Sequence, residues 1–316
     1  MSAPKVLITG IAGFVGSHLA EVCLAHECEV HGVYRGTLGT NVAGLKGRLH
    51  LHRLDLLHDA QVAPLLEEIQ PELVFHLAAE TSVPKSWSSP ALLIHNNTAA
   101  EANLLQALRG SRARVLLACS SEEYGMSALQ GRLDERSPLM PLTPYGLSKM
   151  NQDLLGLQYF RAFGVQVVRT RAFNHTGPRQ SCASALSDFA KQIALIERGV
   201  QEPILRVGNL QARRNFSDVR DIAAAYWLAL EKGIPGEVYN VCGDECLSIA
   251  QMLDILLGFS AARIEVRTEK ERMRPLDIPV FDGDSTLFRR VTGWKPRYRL
   301  EKTLEDLLNS WRAQVP

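Results

Sequence analysis

The first 170 residues alternate short runs of apolar and β-branched residues with longer segments of helical periodicity. Continuous apolar runs are typical of strands that are buried on both faces of a parallel sheet. Their repeated alternation with helices predicts a sheet that helices cover on both sides. The predicted strands are 5–9, 29–34, 49–54, 73–77, 114–119 and 166–170, and the predicted helices are 14–26, 60–69, 91–109 and 144–163.

The pattern changes after about residue 171, where loops and arginine become more frequent. This part predicts helices at 187–198, 218–231 and 300–312 and a strand at 237–241. No low-complexity linker separates the two parts, so we expect them to pack directly around a cleft. The expected fold is α/β, a doubly wound parallel Rossmann sheet with a smaller C-terminal α/β substrate domain. Residues 1–170 would form the first domain and 171–316 most of the second, with segments near 215–242 rejoining the first.

The 316 residues include 35 basic and 34 acidic side chains, which gives a net charge of +1. A near-neutral chain lacks the field that attracts nucleic acid or an anionic membrane, so neither is an expected partner. No apolar run reaches the roughly 20 residues that span a bilayer, and the amino-terminal segment lacks the apolar core of a signal peptide. Six cysteines are scattered without a CxxC pair, which favours free thiols in a cytoplasmic protein and no metal site.

A glycine-rich turn directly follows the first predicted strand. Its sequence, GIAGFVG, has the spacing GxxGxxG. Glycine permits a tight turn and lets a pyrophosphate approach the backbone, while the N-terminus of the next helix offers free N–H groups to the phosphates. The position between a first strand and a first helix therefore predicts a dinucleotide site. Its expected contact residues are Gly10, Gly13, Phe14, Val15 and Gly16.

The ends of the next strands predict the remaining cofactor contacts, because ligands of such sheets lie at the carboxyl ends of the strands. Arg35 follows the second strand, where an acid would bind a free ribose 2′-hydroxyl and an arginine can pair with a 2′-phosphate. This favours NADP(H), with NAD(H) as the alternative if Arg35 is only a solvated loop cation. Asp55 and Leu56, after the third strand, would contact the adenine. The small apolar residues after the fourth strand would let the cofactor pass closely, and they are Leu77, Ala78 and Ala79.

Tyr145 and Lys149 are four residues apart in a predicted helix and therefore share one face. A free tyrosine has a pKa near 10, and a neighbouring ammonium would lower that pKa toward the neutral range. Ser120 follows the fifth predicted strand, where its hydroxyl could reach the same substrate oxygen. We expect Ser120 to donate a hydrogen bond to a substrate carbonyl and Tyr145 to donate a proton to it. Lys149 would act on the phenol and hold the nicotinamide ribose.

With GxxGxxG, a serine at a strand end and YxxxK in this order, the chain resembles the extended short-chain dehydrogenase/reductase superfamily over almost its whole length. Further segments are similar to the GDP-mannose branch of that superfamily. They are SSEEYG at 120–125, RAFNHTGP at 171–178, FAKQI at 189–193, VGNL at 207–210 and TGWKP at 292–296. Asn97 matches a structural asparagine of the superfamily, whereas Ala100-Glu101 replaces the expected Gly-Thr.

The resemblance implies that the first domain binds NAD(P) and that the second domain binds a GDP-sugar. It implies His175 as a further cofactor contact. The substrate contacts that it implies are Thr81, Asn174, Lys191, Val207, Asn209, Arg214, Arg274 and Asp277. Three of these are cations, as a diphosphate requires. The superfamily's usual Arg-Asp pair is Arg214-Asn215 in this chain.

The resemblance also implies a homodimer in which helices 91–109 and 144–163 form a four-helix bundle with those of a second copy. Several leucines of these helices could supply the contact or could instead face the sheet. They are Leu104, Leu105, Leu108, Leu154, Leu155 and Leu157.

Glu122 leaves two activities open. A dehydratase needs a base that removes the C5 proton, and Glu122 occupies the position of that base in the motif. A reductase needs only a hydride at C4 and a proton from Tyr145, and the second half of the chain is more similar to the reductases of this branch.

The function that we expect is NADPH-dependent reduction of the C4 keto group of GDP-4-dehydro-6-deoxy-D-mannose, which gives GDP-D-rhamnose. The alternative is GDP-mannose 4,6-dehydratase with tightly bound NADP. The C4 epimer, 6-deoxy-D-talose, stays open as the product sugar. A third class, a non-catalytic dinucleotide-binding module, would have no need of Ser120, Tyr145 and Lys149 together.

Overall fold

A computed structural model describes residues 3–273 and 276–316. The first half folds into alternating strands and helices. They are β1 Lys5–Thr9, α1 Phe14–Ala25, β2 Glu29–Tyr34, β3 His50–Arg53, α2 Asp59–Ile69, β4 Leu73–His76, α3 Val83–Ser88, α4 Pro90–Ala107, β5 Arg114–Ser120, α5 Pro144–Phe163 and β6 Gln166–Ala172. Every strand and helix predicted for this half is present, with ends that differ by at most two residues. The short helix α3 is an addition.

The second half contains shorter strands between its helices. They are β7 Asn174–Thr176, α6 Ala185–Glu197, β8 Ile204–Val207, β9 Arg213–Asp218, α7 Val219–Lys232, β10 Val238–Val241, β11 Cys246–Ser248, α8 Ile249–Gly258, β12 Glu265–Thr268, β13 Val280–Phe281, α9 Thr286–Thr292 and α10 Leu300–Arg312. The sequence predicts α6, α7, β10 and α10. The other elements depend on partners that are distant in the chain, which local periodicity does not reveal.

Seven strands form the central sheet in the order β10-β6-β5-β4-β1-β2-β3. All neighbouring pairs are parallel. The order reverses between β1 and β4, and a crevice for ligands forms at the carboxyl ends of the strands at such a point. The predicted α/β Rossmann class is confirmed, and β10 from the second half completes one edge of the sheet.

Helices cover both faces of this sheet. Helices α1, α7 and α9 pack together on one face, and α2, α4 and α5 pack together on the other. Leu104 and Leu105 of α4, and Leu108 directly after it, are buried in the core on the second face, so the alternative that they face the sheet is correct. They are therefore not available for a contact between copies. Leu154 of α5 is 48% exposed and remains available.

The second part of the chain builds its own core beside the sheet. Strands β11, β9 and β13 pair in that order and β7 pairs with β9, while β8 pairs with β12. Helices α6, α8 and α10 pack around β8 through apolar residues such as Phe189, Met252 and Leu307. Only Phe173 separates β7 from β6, so the smaller core adjoins the central sheet without a linker. Among the described residues, no helix combines the length and apolar character needed to cross a membrane.

Candidate active site

The turn between β1 and α1 is a close-packed glycine cradle. Gly10 has φ +74°, and a Cβ there would lie 3.0 Å from the backbone nitrogen of Ala78. A Cβ at Gly16 would collide with the carbonyl oxygen of Gly10. Gly13, which has no side chain, is the N-cap of α1, so the amides of the first helical turn are left for a ligand. These residues fit the pyrophosphate of a dinucleotide.

A pocket of about 180 Å³ opens beside this cradle at the carboxyl ends of β2, β3 and β4. It is lined by six residues that the sequence predicts as cofactor contacts, namely Gly10, Arg35, Asp55, Leu56, Ala78 and Ala79. Leu77 packs against the core instead. Sequence reasoning missed Glu80 and Asn96, which also line the pocket. The signal for Glu80 is its position directly after the predicted contact Ala79.

Arg35 faces two carboxylates in this pocket. Its Nη2 donates to Oε1 of Glu80 at 3.3 Å, and its Nη1 lies 3.8 Å from Oδ2 of Asp55. Glu80 also accepts a hydrogen bond from Nδ2 of Asn96 at 3.1 Å. An anionic group at this position would therefore compete with Glu80 and Asp55 for the guanidinium.

Asn97 joins the loop after β4 to helix α5. Its Oδ1 accepts from the backbone nitrogen of Glu80 at 2.8 Å, and its Nδ2 donates to Oγ of Ser148 at 3.0 Å. The side chain is 1% exposed. This fixed loop leads to Thr81, which is exposed.

Ser120 and Tyr145 meet because α5 begins directly against the end of β5. Thr143 caps the helix by accepting from the backbone nitrogen of Gly146 at 2.9 Å. The helix start lies so close to the carbonyl of Glu122 that no Cβ would fit at Gly146. The side chains of Ser120 and Tyr145 lie close enough for Ser120 to act on the pKa of the phenol. The structure thus brings the predicted pair together.

Burial controls the electrostatics of this pair. Burial raises the pKa of Tyr145, while the neighbouring Ser120 hydroxyl acts in the opposite direction. Lys149 is 4% exposed, its Nζ donates to the carbonyl of Ala118 at 2.7 Å, and burial lowers its pKa. The expectation that Lys149 lowers the pKa of Tyr145 toward neutrality is wrong for this structure, because the desolvation of the phenol dominates.

Glu122 lies beside the same phenol. Its backbone nitrogen donates to Oγ of Ser120 at 3.2 Å, in a turn that Glu123 closes by accepting from the Ser120 backbone nitrogen at 2.7 Å. The charge of the half-buried Glu122 adds to the upward shift in the pKa of Tyr145. Glu122 is thus close to the reacting groups, whereas Glu123 is fully buried.

A buried acid behind Lys149 was not predicted as a site residue. Glu101 on α4 is 1% exposed, and its Oε2 lies 3.9 Å from Nε2 of His76. Burial raises the pKa of Glu101 and lowers the pKa of His76 to about 3. The charge of Glu101 opposes the effect of burial on the pKa of Lys149. The signal in the sequence is Ala100-Glu101 in place of the expected Gly-Thr, because this change puts an acidic side chain on a buried face of α4.

His175 lies at the cradle, as the resemblance implies. Its ring stacks on Phe14 with centroids 5.9 Å apart and an interplanar angle of 14°. The Nδ1–H donates to the carbonyl of Phe173 at 3.0 Å, and burial lowers the pKa of the ring. Asn174, beside it, is half-buried at the start of β7.

Three predicted substrate contacts form one cluster in the second part of the chain. Nδ2 of Asn209 donates to Oδ2 of Asp277 at 2.7 Å, and Nη2 of Arg214 donates to Oδ1 of Asp277 at 2.6 Å. The neighbouring Asn215 is fully buried and accepts from the backbone nitrogen of Gly283 at 2.8 Å. Asn215 therefore has a structural role that a neutral side chain can perform.

Two other predicted substrate contacts, Val207 and Lys191, have different surroundings. The side chain of Val207 is fully buried in the core, so its side chain is not available to a base and a ligand could meet only its backbone. Nζ of Lys191 lies 5.5 Å from the centre of the Trp311 ring on α10. Arg274 lies outside the described residues.

Comparison with known proteins identifies the family. The family model described as GDP-mannose 4,6 dehydratase matches residues 7–307. The chain belongs to this family. It is 33% identical to GDP-6-deoxy-D-mannose reductase of Pseudomonas aeruginosa, over 98% of each chain. It is 28% identical to GDP-mannose 4,6 dehydratase 1 of Arabidopsis thaliana, over 96% of this chain and 88% of the relative. The structure of RMD from Pseudomonas aeruginosa complexed with NADPH matches 99% of this chain and 100% of its own, with 30% identity and a TM-score of 0.85.

These findings confirm the predicted GDP-mannose branch and the prediction of an enzyme of the sugar-nucleotide oxidoreductase type. They include both of the activities between which Glu122 leaves a choice. The relatives of this chain thus include a protein named as a reductase and proteins named as dehydratases.

Proposed function

We propose that the chain reduces the C4 keto group of GDP-4-dehydro-6-deoxy-D-mannose to give GDP-D-rhamnose, with NADPH as the reductant. The observation that carries this proposal is that Ser120 and Tyr145 lie together at the carboxyl end of β5, in a fold that also holds the glycine cradle. Its wider support is the similarity to GDP-6-deoxy-D-mannose reductase over 98% of both chains.

The proton would come from Tyr145. Because burial raises the pKa of this phenol, the side chain keeps its proton at neutral pH and can donate it to the C4 oxygen as negative charge develops there. The hydroxyl of Ser120 would donate a second hydrogen bond to the same oxygen. When bound, NADPH would supply the hydride to C4.

Residues at the two ends of the crevice would hold the two ligands. We assign residues 1–170 to the NAD(P) domain, where Gly10, Gly13 and Gly16 would hold the pyrophosphate and Arg35 the 2′-phosphate. We assign most of 171–316 to the GDP-sugar domain. There the cluster of Asn209, Arg214 and Asp277 would contact the nucleotide, and NAD(H) remains the alternative cofactor in the first domain.

The second candidate function is GDP-mannose 4,6-dehydratase, and the position of Glu122 beside Tyr145 favours it. In that reaction bound NADP would supply the oxidation at C4 by accepting its hydride, and the carboxylate of Glu122 would remove the C5 proton. The C6 hydroxyl would leave as water, and the hydride would return to C6. The 4-keto sugar nucleotide that is the substrate in the first proposal is the product of this second reaction.

Two incubations distinguish the candidates. The protein is given GDP-4-dehydro-6-deoxy-D-mannose with NADPH, and separately GDP-mannose with catalytic NADP. We expect NADPH oxidation and GDP-D-rhamnose in the first and no new sugar in the second. A 4-keto sugar formed in the second without net reduced cofactor would contradict the reductase proposal. NMR of the reduced product identifies the C4 configuration, and GDP-6-deoxy-D-talose would correct the proposed product.

We also propose that the protein is a homodimer in which α4 and α5 pair with those of a second copy. Leu92, Leu147 and Leu154 are 57%, 37% and 48% exposed on these helices and could supply the apolar contact. Light scattering after gel filtration should give twice the chain mass. The variant Leu154→Asp should shift the mass to that of one chain, and a monomeric parent protein would refute the proposal.

A further inference from the structure

Three histidines and a glutamate gather at the outer edge of the central sheet, away from the crevice. We call Glu29, His31, His50 and His52 the β2–β3 cluster. Residues two apart on a strand point to the same face, and His31 pairs in register with His50. All four side chains therefore lie on one face of the two neighbouring strands. Because β3 is the last strand of the sheet, this cluster is open to solvent at His50.

The polar atoms of the cluster converge. Nε2 of His31 lies 2.9 Å from Oε1 of Glu29, and Nδ1 of His31 lies 3.1 Å from Nε2 of His52. The rings of His31 and His50 stack with centroids 4.7 Å apart and an interplanar angle of 18°. One donor atom each from Glu29, His31 and His50 lies within 4.8 Å of the other two.

This spacing suits a transition-metal dication. A tetrahedral ion binds imidazole nitrogen and carboxylate oxygen at about 2.0–2.2 Å, which places any two ligand atoms about 3.3 Å apart. Nε2 of His31 and Oε1 of Glu29 are already closer than this, and the stacked rings of His31 and His50 would have to turn so that one nitrogen of each points at the same ion. Two imidazoles and one carboxylate are a ligand set that zinc uses, and the fourth position would be open to water.

The charges around the cluster also bear on cation binding. Glu68 on α2 acts electrostatically on His52 and would favour a cation. Nζ of Lys5 lies 4.0 Å from Oε1 of Glu29 and is the one cation that we find opposing a metal there within the described residues.

We propose that Glu29, His31 and His50 form a binding site for a divalent transition metal, and that Zn²⁺ is the ion that it principally binds. His52 is a positioning residue: its Nε2 accepts the Nδ1–H of His31, which leaves Nε2 of His31 to bind the metal. Metal binding requires the form of His31 that carries its proton on Nδ1 alone, so a proton on Nε2 would have to move to Nδ1 or be released to solvent.

Another group with metal-binding residue types does not support the same inference. Cys119, Glu123 and Asp153 are also close together, but all three are buried. Nε of Arg171 lies 3.3 Å from Oε2 of Glu123 and 2.7 Å from Oδ2 of Asp153, so both carboxylates already have a cation. The β2–β3 cluster has no such guanidinium among its contacts in the described chain.

A metal in the cluster would join the two strands that lead into the adenosine end of the pocket. His31 lies four residues before Arg35, and His52 lies three residues before Asp55. The site is distant from Tyr145 in the sheet order, so we expect the metal to stabilise the fold without entering the reaction. This inference is independent of which sugar nucleotide the enzyme uses.

Calorimetric titration with ZnCl₂ tests the proposal. Tag-free protein is used with Cys182→Ser, because that thiol is exposed and could bind zinc itself. We expect one Zn²⁺ per chain and a higher melting temperature in zinc. His50→Gln removes the most exposed ligand and should weaken binding by about tenfold or more, and His52→Gln should weaken it by about 10–100-fold.

The matched control is His58→Gln, which replaces an exposed histidine outside the cluster and should bind zinc as the parent does. Glu29→Gln is a second variant, in which the proposed carboxylate ligand is replaced by a neutral amide of similar shape. Zinc affinity should fall as the pH is lowered through the range in which imidazole gains a proton. The proposal is refuted if the parent binds no zinc, or if His50→Gln and Glu29→Gln bind it as tightly as His58→Gln does.

Discussion

Tyr145 has an environment that keeps its proton in place. Burial raises the pKa of the phenol, and the charge of Glu122 acts in the same direction. A raised pKa extends the acid form to higher pH, so a proton-donating Tyr145 should leave kcat/KM flat through neutral pH and let it fall only on the alkaline side. A pH–rate profile of sugar reduction checks this, and a fall toward neutral pH would contradict it.

Replacement of the phenol tests the same role directly. Tyr145→Phe should lower kcat by about 10²–10⁴-fold, because the proton donor is lost, while the dissociation constant of the cofactor changes little. Reduced-cofactor absorbance gives the rate and fluorescence titration gives the affinity. Tyr159→Phe is the control, since that hydroxyl bonds Gln106 on an exposed surface and should retain the parent rate.

At the scale of one side chain, the proposed function assigns the choice between NADPH and NADH to Arg35. A 2′-phosphate would gain a charge-assisted contact from Arg35, so Arg35→Ser should raise the KM for NADPH about tenfold. The KM for NADH should stay within about twofold, because its ribose has no phosphate at this position. Arg53→Ser, at an exposed position on β3, is the control. Equal changes in both KM values would mean that Arg35 does not read the 2′-phosphate.

At the scale of elements, the start of α1 depends on its approach to the ends of β1 and β4. A methyl group at Gly16 would force the helix away from the carbonyl of Gly10. Gly16→Ala should therefore destabilise the fold by about 1–3 kcal/mol and weaken cofactor binding. Urea unfolding and a cofactor titration measure the two effects.

Gly258, at the end of α8, is the matched control for this change. A Cβ at Gly258 would have no neighbour within 4 Å. Gly258→Ala should change the free energy of unfolding by less than about 1 kcal/mol, in the stabilising direction, because alanine restricts the unfolded chain. If Gly16→Ala were equally harmless, the close packing of the cradle would not be needed for cofactor binding.

At the scale of the whole molecule, buried ion pairs join α5 to β6 and the segments around β10. Asp153 is fully buried and pairs with Arg169 and Arg171. Nη2 of Arg169 donates to the carbonyl of Gly236 at 2.8 Å, and Nη1 of Arg171 donates to the hydroxyl of Tyr124 at 3.0 Å. The network thus fixes the position of α5, which carries both Tyr145 and Lys149.

Removal of the Asp153 charge should lower the free energy of unfolding by about 3–5 kcal/mol, because two buried guanidinium groups lose their partner. The folded state lowers the pKa of Asp153, so its contribution is present above the unfolded pKa and is lost as the pH falls. The gap between parent and Asp153→Asn in urea unfolding should therefore narrow below about pH 4. Asp188→Asn, in a half-exposed pair with Arg272, should cost no more than about 1 kcal/mol; an equal loss in both variants would contradict the argument.

Local patterns predicted the first half of the fold because its strands and helices are long and periodic. The apolar run of β5 and the capped helix α5 appear with nearly the expected ends. The small sheets of the second half were missed because two- to four-residue strands such as β13 and β8 carry little periodicity and are defined by their partners.

The sequence by itself determined the Rossmann architecture, the glycine cradle and the residue types of Ser120, Tyr145 and Lys149, because spacing along a strand or helix is a local property. Tertiary structure decided what surrounds them. Burial reversed the expected direction of the Tyr145 pKa shift. The fold also placed Glu80 in contact with Arg35, although the two residues are 45 positions apart in the chain. The Val207 side chain also proved to be core. Desolvation and long-range contacts depend on how distant segments pack, and a single sequence read locally does not contain them.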